Sequence, residues 1–458
     1  MNAHSAFINK DNMILSTDFY QLTMCAAYYQ YNLENNINNN DDISTFELFV
    51  RSLPKNRNYL IFAGLEQIIY YLQNARFTQK TINYLRNRND FKKIDNRFFE
   101  EYLPNFKFEL DVWGMREGEI FFPNEPVIRV TGPTIQAQLI ETYILSVMNY
   151  QTIVASKASR IRNIAPDRIL LEFGTRRAHS PLAGIYAARA SYIGGFDGTS
   201  NVTADFELGI NASGTMAHSF VQKFGEMESF DIYYKYYGKN TILLIDTYDI
   251  TNGAKKATKF GNNITGVRID SGDLSVEAKK VREILDANGC DQVAIVLSSN
   301  LDEYLVKEIL DNKAPVKAFG IGTELVTSSD APTLGAVYKL MEHNEEPKIK
   351  TSEDKKTYPS SKQVYRKYNN ENKIIKDIIA LHNEEKPEEC KALLVPIMKK
   401  GELIYEIPSL KECREYCLQT VKTLPDNFKQ LKKVKKSFNV KISEKLENLT
   451  TILRNKYK

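Results

Sequence analysis

The sequence predicts an α/β protein whose middle region forms a parallel sheet, either closed into a barrel or covered on both faces. Three observations carry that expectation. Short aliphatic and β-branched runs recur at 169–173, 242–246, 267–270, 293–298 and 316–320, each ending in a polar, aromatic or small residue. The last four end at 246, 270, 298 and 320, so the intervals are 24, 28 and 22 residues, which suit a strand plus a crossover helix. Between them Val281, Ile284 and Leu285, and then Leu301, Leu305 and Ile309, repeat at helical spacing. Strands this continuously apolar need cover on both sides or closure. In a barrel, the chemistry gathers at the C-terminal strand ends.

Three stretches differ in texture. Residues 1–133 mix strands and helices. A loosely alternating strand is expected at 46–50, two short strands around Asn124-Glu125-Pro126, and a surface loop over the Asn-rich 32–42. Residues 134–340 carry the repeated rhythm. Residues 341–458 open with a charged stretch, resume with strands, and are expected to close in Lys-rich helix that includes Lys432 to Lys436. A solvated helix face is the ordinary reading of those lysines, and a binding patch is the alternative.

Composition narrows the function. At 458 residues the chain is long enough for about three domains, or two if one is a large barrel. Hydrophobic residues at 43% and charged residues at 26% exclude wholesale disorder. The balance of 61 basic against 57 acidic residues, +4, argues against a general nucleic-acid binder. Five scattered cysteines do not read as a disulfide framework. Cys413 and Cys417 suit one side of a helix but lack partners for a zinc set. The best apolar stretch, 139–154, is interrupted by Glu141, Asn149 and Gln151, and the N-terminus lacks a signal-peptide pattern. A soluble cytoplasmic protein without a membrane segment is expected.

Four segments could carry chemistry. In Phe319-Gly320-Ile321-Gly322-Thr323-Glu324, bare backbone at a strand exit suits a phosphate, and a tight exit needing positive φ is the plainer alternative. In Gly266-Val267-Arg268-Ile269-Asp270-Ser271, Arg268 and Asp270 share one side of a strand. They form either a structural ion pair or an anion fork beside a carboxylate that handles ribose hydroxyls or a magnesium-bound water. Glu172-Phe173-Gly174-Thr175-Arg176-Arg177-Ala178-His179 sets a flat ring beside a positive mouth, with His179 read as a loop residue. In Gly214-Thr215-Met216-Ala217-His218-Ser219, small neighbours open the way to an imidazole. A lone histidine is usually structural, but this setting makes a nucleophilic or acid–base role plausible.

Together, in this order, the four segments resemble nicotinate phosphoribosyltransferases. Further matches are Asp18 to Met24, Arg51-Ser52-Leu53-Pro54, Gly194 to Asn201, Gly335 to Leu340, Lys362 to Arg366 and Ile407 to Leu410. The resemblance runs from about residue 11 to about residue 430 and implies the type II phosphoribosyltransferase fold: an irregular α/β barrel joined to an α/β sandwich built from both chain ends. It implies transfer of phosphoribosyl from 5-phosphoribosyl-1-diphosphate to nicotinate, coupled to ATP hydrolysis, with Mg²⁺, in a homodimer. His218 then matches a phosphorylated histidine. Tyr20 (from the neighbouring subunit), Phe173, Thr215, Arg268 and Arg176 match the nicotinate site, and Ser200 replaces an Asp that nicotinamide-specific relatives carry. Thr323 matches a contact to phosphoribosyl diphosphate, with Asn300, Gly320, Gly322 and Asp270 expected around it. Asp270 is also the expected metal residue, directly or through water. The competing readings are a nicotinamide phosphoribosyltransferase, a shorter quinolinate-type enzyme, and a non-catalytic nucleotide-binding relative.

Overall fold

A computed structural model describes residues 9–352 and 357–456. Six strands form one parallel sheet, in the spatial order Gly198–Thr199, Ile169–Glu172, Ala318–Ile321, Ala294–Ser299, Gly266–Ile269, Ile242–Leu244. From Ile242–Leu244 to Ala318–Ile321 each strand neighbours the next one along the chain. The last of them then pairs with Ile169–Glu172, so the order turns back on itself as in a barrel. The ring lacks one join, between Gly198–Thr199 and Ile242–Leu244. There the chain makes a single parallel bridge, Thr199 to Ala212, followed by the helices His218–Phe224 and Glu226–Tyr237. The result is an irregular α/β barrel with a seam, the closed alternative of the two that the sequence allowed.

Burial explains the strands. Leu243, Leu244, Val267, Ile269, Ile295, Leu297, Phe319 and Ile321 are all buried, which keeps these runs mostly apolar, with Arg268 the polar exception. The helices Leu274–Ala287 and Glu303–Asp311 cover them through Ala278, Val281 and Leu285 and through Val306 and Ile309. Asp273 and Asp302 cap these helices, each side chain accepting from two backbone N–H groups. Leu301, which fits the helical period, is buried but lies before the Asp302 cap and outside the helix.

The second unit draws on both ends of the chain. Its seven-stranded antiparallel sheet runs Glu346–Pro347, Ala336–His343, Ile43–Val50, Ile128–Pro133, Asp111–Gly114, Val395–Lys399, Glu402–Leu403. A four-stranded sheet, Cys390–Ala392, Lys362–Tyr368, Ile374–Leu381 and Val440–Ile442, completes it. The helix Glu141–Ile164 links the units. It packs on the helix Pro181–Ile193 of the barrel, while its Ser156 hydroxyl accepts from Ile61 N (2.9 Å). Cys413 and Cys417 are buried on one helix, Leu410–Thr423.

One expectation fails. Lys432 to Lys436 are not helical; the final helix is Glu444–Lys456. The Asn58 amide holds that segment open by donating to the carbonyls of Phe428, Gln430 and Lys432, and its oxygen accepts from Val434 N. Phe438 stacks on Phe122 with ring centroids 3.9 Å apart, which fixes the far end of the segment. These tertiary contacts outweigh the helix propensity of lysine. Among the described residues, no helix is long and apolar enough to cross a membrane.

Candidate active site at the open end of the barrel

The C-terminal strand ends form one rim, in the order Ser200, Phe173, Gly322, Asn300, Asp270, Asp246. Arg268 organises one side of it. Its Nη2 donates to Asp270 Oδ1 (2.7 Å), its Nε to Ser298 Oγ (2.7 Å) and its Nη1 to Thr215 Oγ1 (3.2 Å). The Ser298 hydroxyl in turn donates to Asp270 Oδ1 (2.5 Å). Asp270 Oδ2 faces Nε2 of His218 at 3.8 Å, and Nδ1 of His218 lies 3.1 Å from Thr247 Oγ1. Thus Thr215, His218, Arg268 and Asp270 meet in one cluster, drawn from two of the sequence segments. Burial pushes the Asp270 carboxyl up, but Ser298, Arg268 and His218 together outweigh it and hold the group below the usual aspartate range.

His218 opens its helix at the seam, where no regular strand covers it, and its side chain is 43% exposed. The preceding Gly214 has open space where a Cβ would stand. The small residues noted in the sequence therefore leave the imidazole accessible.

Three contributors carried little signal on their own. Asp246 Oδ2 accepts from Asp270 N (2.8 Å) and Ser271 Oγ (2.7 Å), while its Oδ1 is buried without a hydrogen-bond partner among the described residues. Ser298 and Thr247 touch Asp270 and His218 directly. Asp246 and Ser298 end two of the predicted strands, and that position was the available clue. Ser299 adds backbone strain at the rim, with φ of 135°, a region that side-chain-bearing residues avoid. The exposed Asn300 follows it.

The opposite side of the rim is built around Phe173. A Cβ on Gly320 would overlap the Phe173 ring, and one on Gly322 would press on the Phe173 carbonyl. Neither glycine has positive φ, so their bareness serves close packing of two strand ends rather than a left-handed turn. Below them Glu172 is fully buried and accepts from the Thr199 hydroxyl (2.6 Å) and from Gly174 N. Burial raises its carboxyl and these two bonds oppose the rise. Ser200 N donates to the Glu172 carbonyl (2.8 Å), which places Ser200 beside Phe173.

Arg176 is exposed on the short turn Thr175–Arg177, and His179 is exposed beyond it. Thr323 opens the short helix Thr323–Val326. Asp197, an anion close in sequence to Ser200, is bound by Arg162 and Arg414 (both 2.6 Å). Tyr20 stands apart. It is 48% exposed on the helix Phe19–Glu34, and its hydroxyl donates to Glu141 (3.4 Å).

Comparison with known proteins bears on this geometry. Family models match along the chain: the nicotinate phosphoribosyltransferase N-terminal domain over residues 15–149, the nicotinate phosphoribosyltransferase family over 169–383, and the C-terminal domain over 386–450. A nicotinate phosphoribosyltransferase of Mycobacterium tuberculosis is 38% identical, with 94% of this chain and 92% of that protein covered. One of Bacillus subtilis is 36% identical over 92% and 91%. The crystal structure of human nicotinic acid phosphoribosyltransferase superposes with a TM-score of 0.84 at 27% identity, covering 95% of this chain and 99% of that one. A nicotinate-nucleotide pyrophosphorylase of Pyrococcus furiosus gives 0.73 at 27% identity, over 91% and 97%. Matched over most of its length in sequence and in fold, the chain belongs to the nicotinate phosphoribosyltransferase family, and it is an enzyme.

Proposed function

We propose that the chain transfers phosphoribosyl from 5-phosphoribosyl-1-diphosphate to nicotinate, giving nicotinate mononucleotide and diphosphate for NAD salvage, and couples the transfer to ATP hydrolysis through phosphorylation of His218. The observation that carries the reading is the rim cluster of Arg268, Thr215, Asp270 and His218, set opposite the Phe173 ring in a chain of this family. Arg268 and Arg176 supply cations for the nicotinate carboxylate, Ser200 and Thr215 supply hydroxyls, and Phe173 supplies a ring face. Thr323, Gly320, Gly322 and Asn300 lie along the adjoining strand ends, where the sugar phosphate would sit.

Departure of diphosphate leaves positive charge on the ribose ring, so positioning and charge stabilisation do most of the catalysis. Asp270, held ionised by Arg268 and Ser298, offers a negative oxygen beside that charge. The oxygen donors fit Mg²⁺: Asp246 Oδ1, buried without a hydrogen-bond partner among the described residues, and Asp270 Oδ2, which faces His218 at 3.8 Å, would hold it, directly or through water. When bound, it would neutralise the leaving diphosphate. Among the described residues no three His, Cys, Asp or Glu groups form a metal cage, so substrate oxygens would complete the coordination.

The exposed Tyr20 would close the base pocket of a second subunit, which makes the working unit a homodimer in the cytoplasm. The test is an assay with nicotinate or nicotinamide, phosphoribosyl diphosphate and Mg²⁺, with and without ATP. A higher kcat/KM for nicotinamide overturns the reading. His218→Ala should abolish phosphoenzyme and ATP hydrolysis while leaving weak ATP-independent transfer. Inactive Tyr20→Ala and Arg268→Ala subunits, mixed and exchanged, should regain part of the activity if each site uses both chains.

A further inference from the structure

Glu172 has no part in the roles assigned above, yet it pairs with Thr199 across the two strand ends that lead to Phe173 and Ser200. We propose that Glu172 is the positioning residue of the base pocket: its carboxyl binds the residue after Phe173 and the residue before Ser200 at once, and so holds ring and hydroxyl at a fixed separation. This rests on the reading of Phe173 and Ser200 as base contacts.

A buried carboxyl is costly where no cation meets it. Glu172 is fully buried, and the groups that offset its burial are a hydroxyl and a backbone N–H, with no Lys or Arg among them. An aliphatic side chain would fill the space at less cost, but it would supply no directional acceptors. Glu172 supplies two. Oε1 accepts from Gly174 N, and Oε2 accepts from Thr199 Oγ1 at 2.6 Å.

Those two bonds bracket the site residues. Phe173 is held on one side by its own N–H, which donates to the Ile321 carbonyl (2.8 Å), and on the other by Gly174 N on Glu172. Ser200 is held likewise. Its N–H donates to the Glu172 carbonyl (2.8 Å), and the next N–H, that of Asn201, donates to Thr199 Oγ1 (3.0 Å). The Thr199 hydroxyl therefore accepts from Asn201 while its one proton goes to the carboxyl. Thr199 is buried and β-branched, which leaves that hydroxyl few other orientations.

The same threonine reaches the seam. Its N–H donates to the Asn211 carbonyl (3.2 Å), and its carbonyl accepts from Ser213 N (2.7 Å), two residues before Thr215. Glu172 thus ties together the three pieces of chain that carry Phe173, Ser200 and Thr215. Gly322 and Thr323, on the sugar-phosphate side, follow a strand end that its carboxyl does not bind. Loosening Glu172 should disturb the base more than the sugar phosphate.

Thr199→Val keeps the shape and removes the hydroxyl that Glu172 binds. KM for nicotinate should rise about 5–10-fold, as expected for one lost hydrogen bond, with kcat and the KM for phosphoribosyl diphosphate close to the parent's. Thr199→Ser should restore the parent KM. Ser200→Ala should raise KM in the parent but add little on top of Thr199→Val, because the hydroxyl it removes is already misplaced. A merely structural threonine would lower the active fraction, and kcat with it, but leave KM alone. An unchanged KM for nicotinate in Thr199→Val, or effects of the two changes that multiply in full, overturns the positioning role and leaves nicotinate transfer intact. If Ser200→Ala leaves the parent KM unchanged, Ser200 is not a base contact, and the positioning role falls with that reading. Where Thr199→Val folds poorly, Glu172→Gln decides. It keeps the shape and the acceptor for Gly174 N but turns an N–H toward Thr199, so a rise in KM for nicotinate alone supports the role and an unchanged KM overturns it.

Discussion

Two Arg–Asp pairs in this molecule share their chemistry and are used differently. Arg366 and Asp377 face each other on the neighbouring strands Lys362–Tyr368 and Ile374–Leu381. Arg366 is fully buried and bidentate, with Nε 2.9 Å from Asp377 Oδ1 and Nη2 2.6 Å from Oδ2. Its Nη1 donates to Glu119 (2.7 Å), and Nη2 also reaches the Ile120 carbonyl (2.9 Å). Arg268 meets Asp270 through one nitrogen and one oxygen, with side chains 15% and 24% exposed. The buried pair uses both carboxylate oxygens; the rim pair leaves Asp270 Oδ2 facing His218. A saturated pair holds two strands together, whereas an incomplete one at a barrel mouth can still bind something.

The largest effect should come from breaking the saturated pair. Arg366→Met strands Asp377 as a buried charge and takes one partner from Glu119, which typically costs about 3–5 kcal/mol. A large drop in the thermal midpoint, with little soluble protein at 37 °C, is the expected result. Arg268→Gln should behave oppositely, with a midpoint close to that of the parent and a kcat/KM for nicotinate lower by about 2–5 kcal/mol in ΔΔG‡, or roughly 30-fold to several-thousand-fold. If Arg268→Gln unfolds as readily as Arg366→Met, the two pairs do not differ in kind.

A smaller effect tests the other side of the rim. Gly320→Ala must push the Phe173 ring aside, and such overpacking costs about 1–3 kcal/mol. Because the ring lines the proposed base pocket, KM for nicotinate should rise about tenfold with a modest loss of thermal stability. Unchanged KM would mean that Phe173 does not touch the base.

What was legible in the sequence follows from how each feature is encoded. The barrel strands were readable because burial on both faces leaves uninterrupted aliphatic runs, and Arg268 with Asp270 because a strand alternates sides every residue. The open conformation of Lys432 to Lys436 was not readable, since it depends on Asn58, more than 370 residues earlier. Gly320 and Gly322 illustrate a mixed case. Their smallness was visible, but only the fold shows that Phe173 occupies the space. Thr247 has no local signal; the turn after one strand brings its hydroxyl to a histidine from the seam.

An effect that vanishes near pH 4 separates the two pairs by pH. Glu125 lies beside the saturated pair. Its Oε2 accepts from Phe122 N (2.9 Å), and its Oε1 is buried without a hydrogen-bond partner among the described residues. Burial and the Asp377 charge raise its carboxyl well above the usual glutamate range, with Arg366 opposing. The folded protein therefore holds a proton there that the unfolded chain, with a glutamate pKa of about 4.3, gives up. Its contribution is fully present below that value and is lost progressively as pH rises toward the folded pKa. Asp270 has the opposite sign: its lowered carboxyl contributes above an unfolded pKa of about 3.9 and loses that contribution as pH falls. Glu125→Gln keeps a neutral side chain of the same shape and removes the proton exchange. Its midpoint should match that of the parent near pH 4 and exceed it increasingly from about pH 5 upward, by about 1.4 kcal/mol for each unit that the folded pKa lies above the unfolded one. Asp270→Asn should show no such growth toward alkaline pH. A Glu125→Gln difference that stays constant between pH 4 and pH 8 would show that Glu125 is ionised in the fold, and that the saturated pair has a further buried charge beside it instead of a neutral carboxyl.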